Sequence, residues 1–202
     1  MTDWAVVELG PLDRRVVTEA MTLFEAVVGH SALVVDQALQ GLHDGTLLFL
    51  AARAGMQSAV VGAATACVLD DDSYGELVAP MPASALAATP PSVDGRRIGR
   101  LGTLAVAASM RRRGVGSALT AQCTQWLRQR CTEAFVISWL HSEPDRSEGV
   151  LKAFGWQPVT VLHDYWVRAT TTGEADCSQC GRPCHCPGLL LRLPGDRGPG
   201  AR

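Results

Sequence analysis

Lysine is nearly absent: Lys152 is the only one among the eighteen basic residues of this 202-residue chain, and the others are arginines, scattered as well as clustered. The net charge is −2, so no overall basic field draws nucleic acid, and none is expected as a partner. No apolar run approaches the roughly 18 residues that a membrane-crossing helix needs. The opening MTDWAVVELG lacks the charged-then-apolar pattern of an export signal. A cytoplasmic chain with no membrane partner is therefore expected. The length suits one domain with a substantial core and is short for two.

Seven cysteines are unevenly spread. Cys67, Cys123 and Cys131 lie in apolar patterns and read as small buried hydrophobes. Cys177, Cys180, Cys184 and Cys186 fall within ten residues, in D-C-S-Q-C-G-R-P-C-H-C-P. Without an export signal these four are not expected to form a disulfide framework. The C-x2-C half has knuckle spacing, Gly181 allows the tight turn after it, and four thiolates satisfy tetrahedral Zn2+; His185 could replace one of them. With every position filled by protein, the metal would fold the segment rather than catalyse. Free thiols in a flexible loop are the competing reading.

Residues 100–129 carry the main signal, RLGTLAVAASMRRRGVGSALTAQCTQWLRQ. An apolar run over 101–108 passes through a basic turn (Arg111, Arg112, Arg113, Gly114, Val115, Gly116). It continues into a segment whose Val115, Leu119, Cys123, Trp126 and Leu127 recur at helical spacing. Strand, turn, helix is the expectation. A helix start offers unpartnered main-chain N–H groups and the positive end of the macrodipole. Glycines let a ligand approach the backbone, and arginines add planar bidentate donors. That combination suits a pyrophosphate, although a plain strand-to-helix connection uses the same glycines.

The run L-x-V-x-A-x-x-R-R-R-G-V-G resembles the coenzyme A-binding signature of the GNAT (Gcn5-related N-acetyltransferase) superfamily. The resemblance puts Arg111, Gly114 and Gly116 on the family's Q/R-x-x-G-x-G/A residues. With Arg112, Arg113, Val115 and Ser117 they would hold the pyrophosphate of acetyl-CoA, the co-substrate. It implies that the main chain of Leu104, Ala105 and Val106 pairs with the pantetheine arm. Ala108 stands where a proline is common.

The remaining elements fit that order. Residues 4–9 alternate as a first strand. Asp13 can cap a helix with the stripe Val16, Val17, Met21, Leu23, Phe24 and Val27, stopped by Gly29. Ser31 can cap a second, carrying Leu33, Val34, Ala38, Leu39 and Leu42. Residues 47–54 and 59–69 read as a hairpin of buried strands turning at 55–58. Residues 70–97, acidic and then Pro/Ala-rich, show no clear period and read as a long connection. A strand over 134–141, a brief helix over 147–154, a strand over 159–167 and a last strand over 188–193 complete the chain. The expected class is α/β (α+β), a mixed central sheet flanked by helices in the GNAT acyl-CoA N-acyltransferase fold. A single domain would span 1–193, with a cysteine-rich insertion at 174–187 and a disordered tail at 194–202.

Amide formation from a thioester needs the carbonyl polarised and the amine deprotonated, and the leaving thiolate benefits from a proton. The family often places a tyrosine acid four residues before a Gly-Phe pair. Here Gly155-Trp156 aligns with that pair and Leu151 takes the tyrosine's place, while Pro144 stands where an asparagine is frequent. Tyr165 is then the first candidate for the acid, followed by Tyr74, His141 and His163. Glu76 is the candidate base, with Glu143, Glu148 and the run Asp70, Asp71, Asp72 also available; solvated carboxylates are the competing reading for each. The implied activity is an N-acetyltransferase moving acetyl from acetyl-CoA to a primary amine, on a small molecule or a peptide, by direct attack in a ternary complex. The alternative is a catalytically inactive CoA-binding regulatory or scaffold module. A homodimer is left open.

Overall fold

Two strands with no polar face anchor the sheet, and both of its faces must therefore be covered by helices. In the computed structural model, which describes residues 3–29, 33–55, 59–90, 96–140, 147–177 and 179–195, these are β2 (Leu47–Arg53) and β3 (Val60–Val68). Alternate side chains leave opposite faces of a strand. Leu48, Leu50 and Ala52 accordingly join one core cluster, and Phe49 and Ala51 join another.

The second cluster is closed by α1 (Arg14–Val28), which buries Val17, Ala20, Met21 and Phe24 at helical spacing. Phe24 stacks on Phe49 with ring centroids 5.8 Å apart. Burying each such large side chain contributes about 1.5–3 kcal/mol. Beside it runs α2 (Val35–His43), where Val34 N–H donates to Gln37 Oε1 at 3.4 Å; the expected cap, Ser31, lies outside the described residues. The first cluster is closed by α5 (Val115–Arg130) through Val115, Leu119, Cys123, Trp126 and Leu127. This helix lies so near the sheet that a Cβ on Gly62 would fall 2.7 Å from Val115 Cγ1, and one on Gly99 2.5 Å from Leu127 Cδ2.

The remaining strands are β1 (Ala5–Glu8), β4 (Ile98–Val106), β5 (Glu133–Trp139), β6 (Gln157–Leu162) and β7 (Gly188–Pro194). They give one mixed sheet in the order β1-β2-β3-β4-β5-β7-β6, in which only β4 and β5 pair in parallel. The last strand inserts between β5 and β6. The mixed sheet and flanking helices are those expected.

Three local expectations are corrected. Residues 70–97 are not one connection without regular structure, because α3 (Asp71–Val78) and α4 (Ala83–Leu86) form there. Asp70 caps α3 by accepting from Ser73 N–H at 2.8 Å, and Tyr74, Leu77, Met81 and Ala85 form a buried stripe that the surrounding Ala, Gly and Pro obscure. The strand expected over 159–167 is β6, which ends at Leu162. Asp164 turns the chain at φ 56° and Val167–Thr172 becomes α7. The central strand stops at Val106 rather than running to 108, and a 3-10 turn, Ala108–Met110, follows. Residues 56–58 of the expected hairpin turn and 196–202 of the expected tail lie outside the described residues.

Candidate active site

The two parallel strands share only three register positions, Ile98–Arg100 against Glu133–Phe135. Beyond them β4 stays with β3 as far as Val106, and β5 stays with β7 as far as Trp139. The strands therefore splay, and the main chain of Leu104, Ala105 and Val106, still paired with β3 on one side, borders a cleft on its β5 side. The β3–β4 register shifts between Ala64 and Ala66, where Thr65 Oγ1 accepts from Thr103 N–H at 3.1 Å. Such a bulge bends a strand and re-aims its groups.

At the end of β4 the chain enters the basic turn. Arg112 has φ 62° and Gly114, the residue before α5, has φ 83°, so two nearby residues are left-handed. A non-glycine residue there carries roughly 1–2 kcal/mol of strain, a feature that gathers at binding loops. Arg111, Arg112, Arg113, Gly114 and Ser117 are exposed, whereas Val115 is buried in the core and offers only its main chain. Arg111 Nε donates to Val106 O at 3.5 Å, tying the turn to the strand end. The first N–H groups of α5 have no acceptor within the helix. An exposed cationic turn, glycines and a helix start thus meet at the mouth of the cleft. The side chain of Trp4 lies beside them, 3.9 Å from where a Gly114 Cβ would be, a contact that its place at the start of an alternating strand does not signal.

The candidate acids and bases are dispersed. Tyr165 is buried, and its hydroxyl donates to Leu77 O at 3.0 Å. It sits in the core cluster of Ile98 and Phe135, at the paired end of β4 and β5, and burial pushes its pKa up to about 12. Tyr74 is likewise buried, donates to Pro90 O, and has its pKa raised by burial. Glu76 is exposed on α3 with Asp71 and Asp72; Asp70 is the helix cap, and its carboxyl is held below the ordinary value by the hydrogen bonds from Ser73. Glu148 pairs with Lys152 at 2.5 Å within α6 (Ser147–Ala153), and His163 is exposed. Leu151 belongs to the core of that helix, 3% exposed. His141, Glu143 and Pro144 lie outside the described residues.

Several neighbours had no sequence signal, because they meet only through folding. Ser138 on β5 and Ser147 at the start of α6 share a hydrogen bond of 2.6 Å. Trp139, the last residue of β5, packs against Trp166 with centroids 4.3 Å apart and the rings tilted by 36°, and Tyr165 meets Trp166 edge-on at 4.8 Å.

The four clustered cysteines converge. Their sulfur atoms all lie within 4.8 Å of one another, with Cys180 and Cys186 at 3.5 Å and Cys177 and Cys186 at 4.0 Å. Sulfurs around a tetrahedral zinc with bonds of about 2.3 Å lie about 3.8 Å apart, so the donor set fits one such ion. Gly181 N–H returns to Cys177 O at 3.0 Å, closing the knuckle turn. His185 is engaged elsewhere, its Nδ1 lying 2.7 Å from Asp164 Oδ1. Cys180 is held below the ordinary thiol pKa by hydrogen bonds from Cys186 and Cys184, whereas burial raises Cys184 and moves Cys186 up to about 11.

A surface depression of about 640 Å³, between the second half of α5 and the end of α6, is lined by Thr124, Arg128 and Phe154 among others. It begins some seven residues along α5 from Gly114, roughly 10 Å away, and is not part of the cleft.

A mixed sheet splayed at its parallel pair, with an arginine–glycine turn leading into a helix at the opening, defines the acyl-CoA N-acyltransferase fold and an N-acetyltransferase as the class of protein. The chain belongs to the acetyltransferase (GNAT) family, whose model matches residues 15–156. Solved structures share the fold at low identity. Arabidopsis thaliana NAA60 in complex with acetyl-CoA has a TM-score of 0.62 and 14% identity over 94% of this chain and 97% of its own. The ribosomal-protein-S18-alanine N-acetyltransferase from Escherichia coli has 0.59 and 13% over 98% and 99%. An agmatine N-acetyltransferase has 0.60 and 17% over 95% and 99%. No curated protein matches the chain in sequence. Among the described residues no helix is long and apolar enough to cross a membrane.

Proposed function

We propose that the chain transfers the acetyl group of acetyl-CoA to a primary amine. The carrying observation is the junction of the β4–β5 splay with the left-handed Gly114 turn at the start of α5. Arg111, Arg112, Arg113 and the main chain from Gly114 to Ser117 bind the pyrophosphate. The pantetheine arm lies along Leu104, Ala105 and Val106. The amine nitrogen attacks the thioester carbonyl and its C–N bond forms. The oxyanion is stabilised by main-chain donors of the splayed strand, and the C–S bond then breaks. The nitrogen loses its proton and the thiolate gains one, so amide and free coenzyme A result. A thiolate with an ordinary pKa of about 8.5 leaves tolerably well unaided, which suits a chain with Leu151 at the usual acid's position. Tyr165 and Glu76 remain the assigned acid and base candidates.

The structures it resembles act on an alanine of a ribosomal protein and on agmatine, both amine acceptors, which supports a primary amine in general without choosing between a peptide and a small molecule. Release of free coenzyme A thiol with a panel of peptide N-termini and small amines tests the reading. Tight acetyl-CoA binding with no thiol release from any amine would favour the scaffold reading, which the buried Leu151 supports.

The same reading gives the chain a single domain over 1–193 with its insertion at 174–187, and a structural zinc held by Cys177, Cys180, Cys184 and Cys186. When bound, the ion supplies four thiolate bonds and no open coordination position. Elemental analysis of untagged protein under reducing conditions, expected to give one zinc per chain, tests it.

A further inference from the structure

Among the contacts that attach the cysteine knuckle to the body of the protein, two side-chain hydrogen bonds grip the short segment 164–170. Cys184 N–H donates to Thr170 Oγ1 at 2.9 Å, and the Thr170 hydroxyl donates in turn to Trp166 O at 2.7 Å. Thr170 and Cys184 are both fully buried. His185 Nδ1 meets Asp164 Oδ1 at 2.7 Å, two residues before Trp166. A further attachment is at the far end of α1. A Cβ on Gly29 would fall 2.3 Å from Asp176 O, so the backbone preceding the first cysteine lies directly on that helix end.

The segment so gripped carries Trp166, which lies on Trp139, the last residue of β5 and thus its splayed end. A second contact has the same direction: Leu140 N–H, next along from Trp139, donates to Pro187 O at 2.9 Å, just after the last cysteine. The knuckle itself, C-S-Q-C-G-R-P-C-H-C, has no large apolar side chain with which to order its loop. Ordering each of its residues opposes folding, and four metal–thiolate bonds are what can offset that.

We propose that metal occupancy of the four-cysteine site sets the position of Trp166 against Trp139, and so shapes the aromatic wall at the open end of the acyl-transfer cleft. Thr170 acts as a positioning residue, passing the state of the knuckle to the tryptophan through one shared hydroxyl. With all four positions filled by thiolates the ion takes no part in the chemistry, yet it fixes the side of the cleft opposite the cofactor turn. The proposal rests on the zinc and cleft assignments above, and the experiment separates the three.

Zinc-free protein, kept reduced and free of oxygen, is titrated with Zn2+ while the near-ultraviolet circular dichroism of the tryptophan bands is followed. A parallel titration measures acetyl-CoA affinity by calorimetry. The expected result is a tryptophan signal that grows with zinc and saturates at one equivalent, is absent in Trp166→Phe, and falls by at least half in Thr170→Val while that variant still binds one zinc. Acetyl-CoA affinity should change less than threefold between the zinc-free and loaded forms. Zinc bound at one equivalent with an unchanged tryptophan signal overturns the proposal and leaves the metal site intact. Failure to bind zinc overturns the metal site and the proposal together. Loss of acetyl-CoA binding in both forms strikes the cleft assignment instead, and with it the functional meaning of the wall.

Discussion

Glu133 on β5 and Arg192 on β7 are joined by an ion pair of 2.8 Å, and the glutamate side chain is only 8% exposed. Arg96 approaches its other carboxylate oxygen at 3.6 Å. One nearly buried carboxylate therefore ties the approach to β4, the start of β5 and the end of β7 together, at the closed end of the cleft. Glu133→Gln keeps the shape and removes the charge from between two arginines. A stability loss of about 1–3 kcal/mol is expected by urea denaturation. An unchanged midpoint would mean that the pin contributes nothing.

The two glycines of the cofactor turn should separate. Gly114 has φ 83°, so Gly114→Ala strains the fold by about 1–2 kcal/mol as well as crowding the ligand. A Cβ on Gly116 would meet only Val106 Cγ2, at an ordinary 3.6 Å. Gly116→Ala should therefore fold at least as stably as the parent, since alanine is the better helix former. Gly116→Leu and Arg111→Ala should weaken acetyl-CoA, the latter by roughly tenfold to a hundredfold, the loss of one charge-assisted hydrogen bond. Calorimetry and thermal unfolding on the four variants test this. Full affinity in Gly116→Leu and Arg111→Ala together would remove the pyrophosphate from the turn.

Tyr165 carries a pH signature. Burial raises its folded pKa to about 12 from an ordinary value near 10, so the folded state holds this proton more tightly than the unfolded chain does. The stabilisation is complete below about pH 10 and is lost as the pH rises from there toward 12. Tyr165→Phe should flatten that part of the alkaline stability curve. It should also lower neutral stability by about 1 kcal/mol, because Leu77 O loses its donor. Denaturation midpoints at pH 8 and pH 11 give both values. The same variant tests catalysis: an unaltered rate and pH profile excludes Tyr165 as the acid.

Cysteine reactivity should follow environment. Cys180 is exposed and its thiolate is favoured by donors from Cys186 and Cys184, whereas burial pushes Cys123 up to about 12 and Cys131 up to about 11. In zinc-free protein at neutral pH, iodoacetamide should modify Cys180 first and reach Cys123 and Cys131 only on unfolding. Peptide mass spectrometry over a time course checks the order, and early labelling of Cys123 would contradict the burial.

The central strand, turn and helix were legible because three signals coincide there: an apolar run, a glycine–arginine turn and a 3.6-residue stripe. The region of α3 was not, since Tyr74, Leu77, Met81 and Ala85 keep helical spacing across a break at Ala79-Pro80 and among small residues that dilute the pattern. The apolar Tyr165, Trp166 and Val167 imitated a strand because nothing local marks Asp164 as a left-handed turn. Spacing alone placed the four sulfurs together. It could not show that Thr170, Asp164 and Gly29 hold them, as those contacts join residues far apart in sequence. The departure at Leu151 was visible from the resemblance, and its burial supplies a physical reason: the position fills core space between α5 and α6.

The narrow join between β4 and β5 also bears on how the molecule comes apart. With three paired positions holding the parallel seam, the sheet is two leaves, β1 to β4 and β5 to β6, bridged by α5 packing on both. The first leaf contains two consecutive antiparallel pairings, β2 with β3 and β3 with β4, whose closure is comparatively local. The second must wait for its last segment to thread between two earlier strands. Topologies of that kind favour separate cooperative units, with the late-closing leaf opening at lower free energy. Amide hydrogens of β7 should then exchange before those of β3, making the β5–β7 side of this cleft the part that breathes.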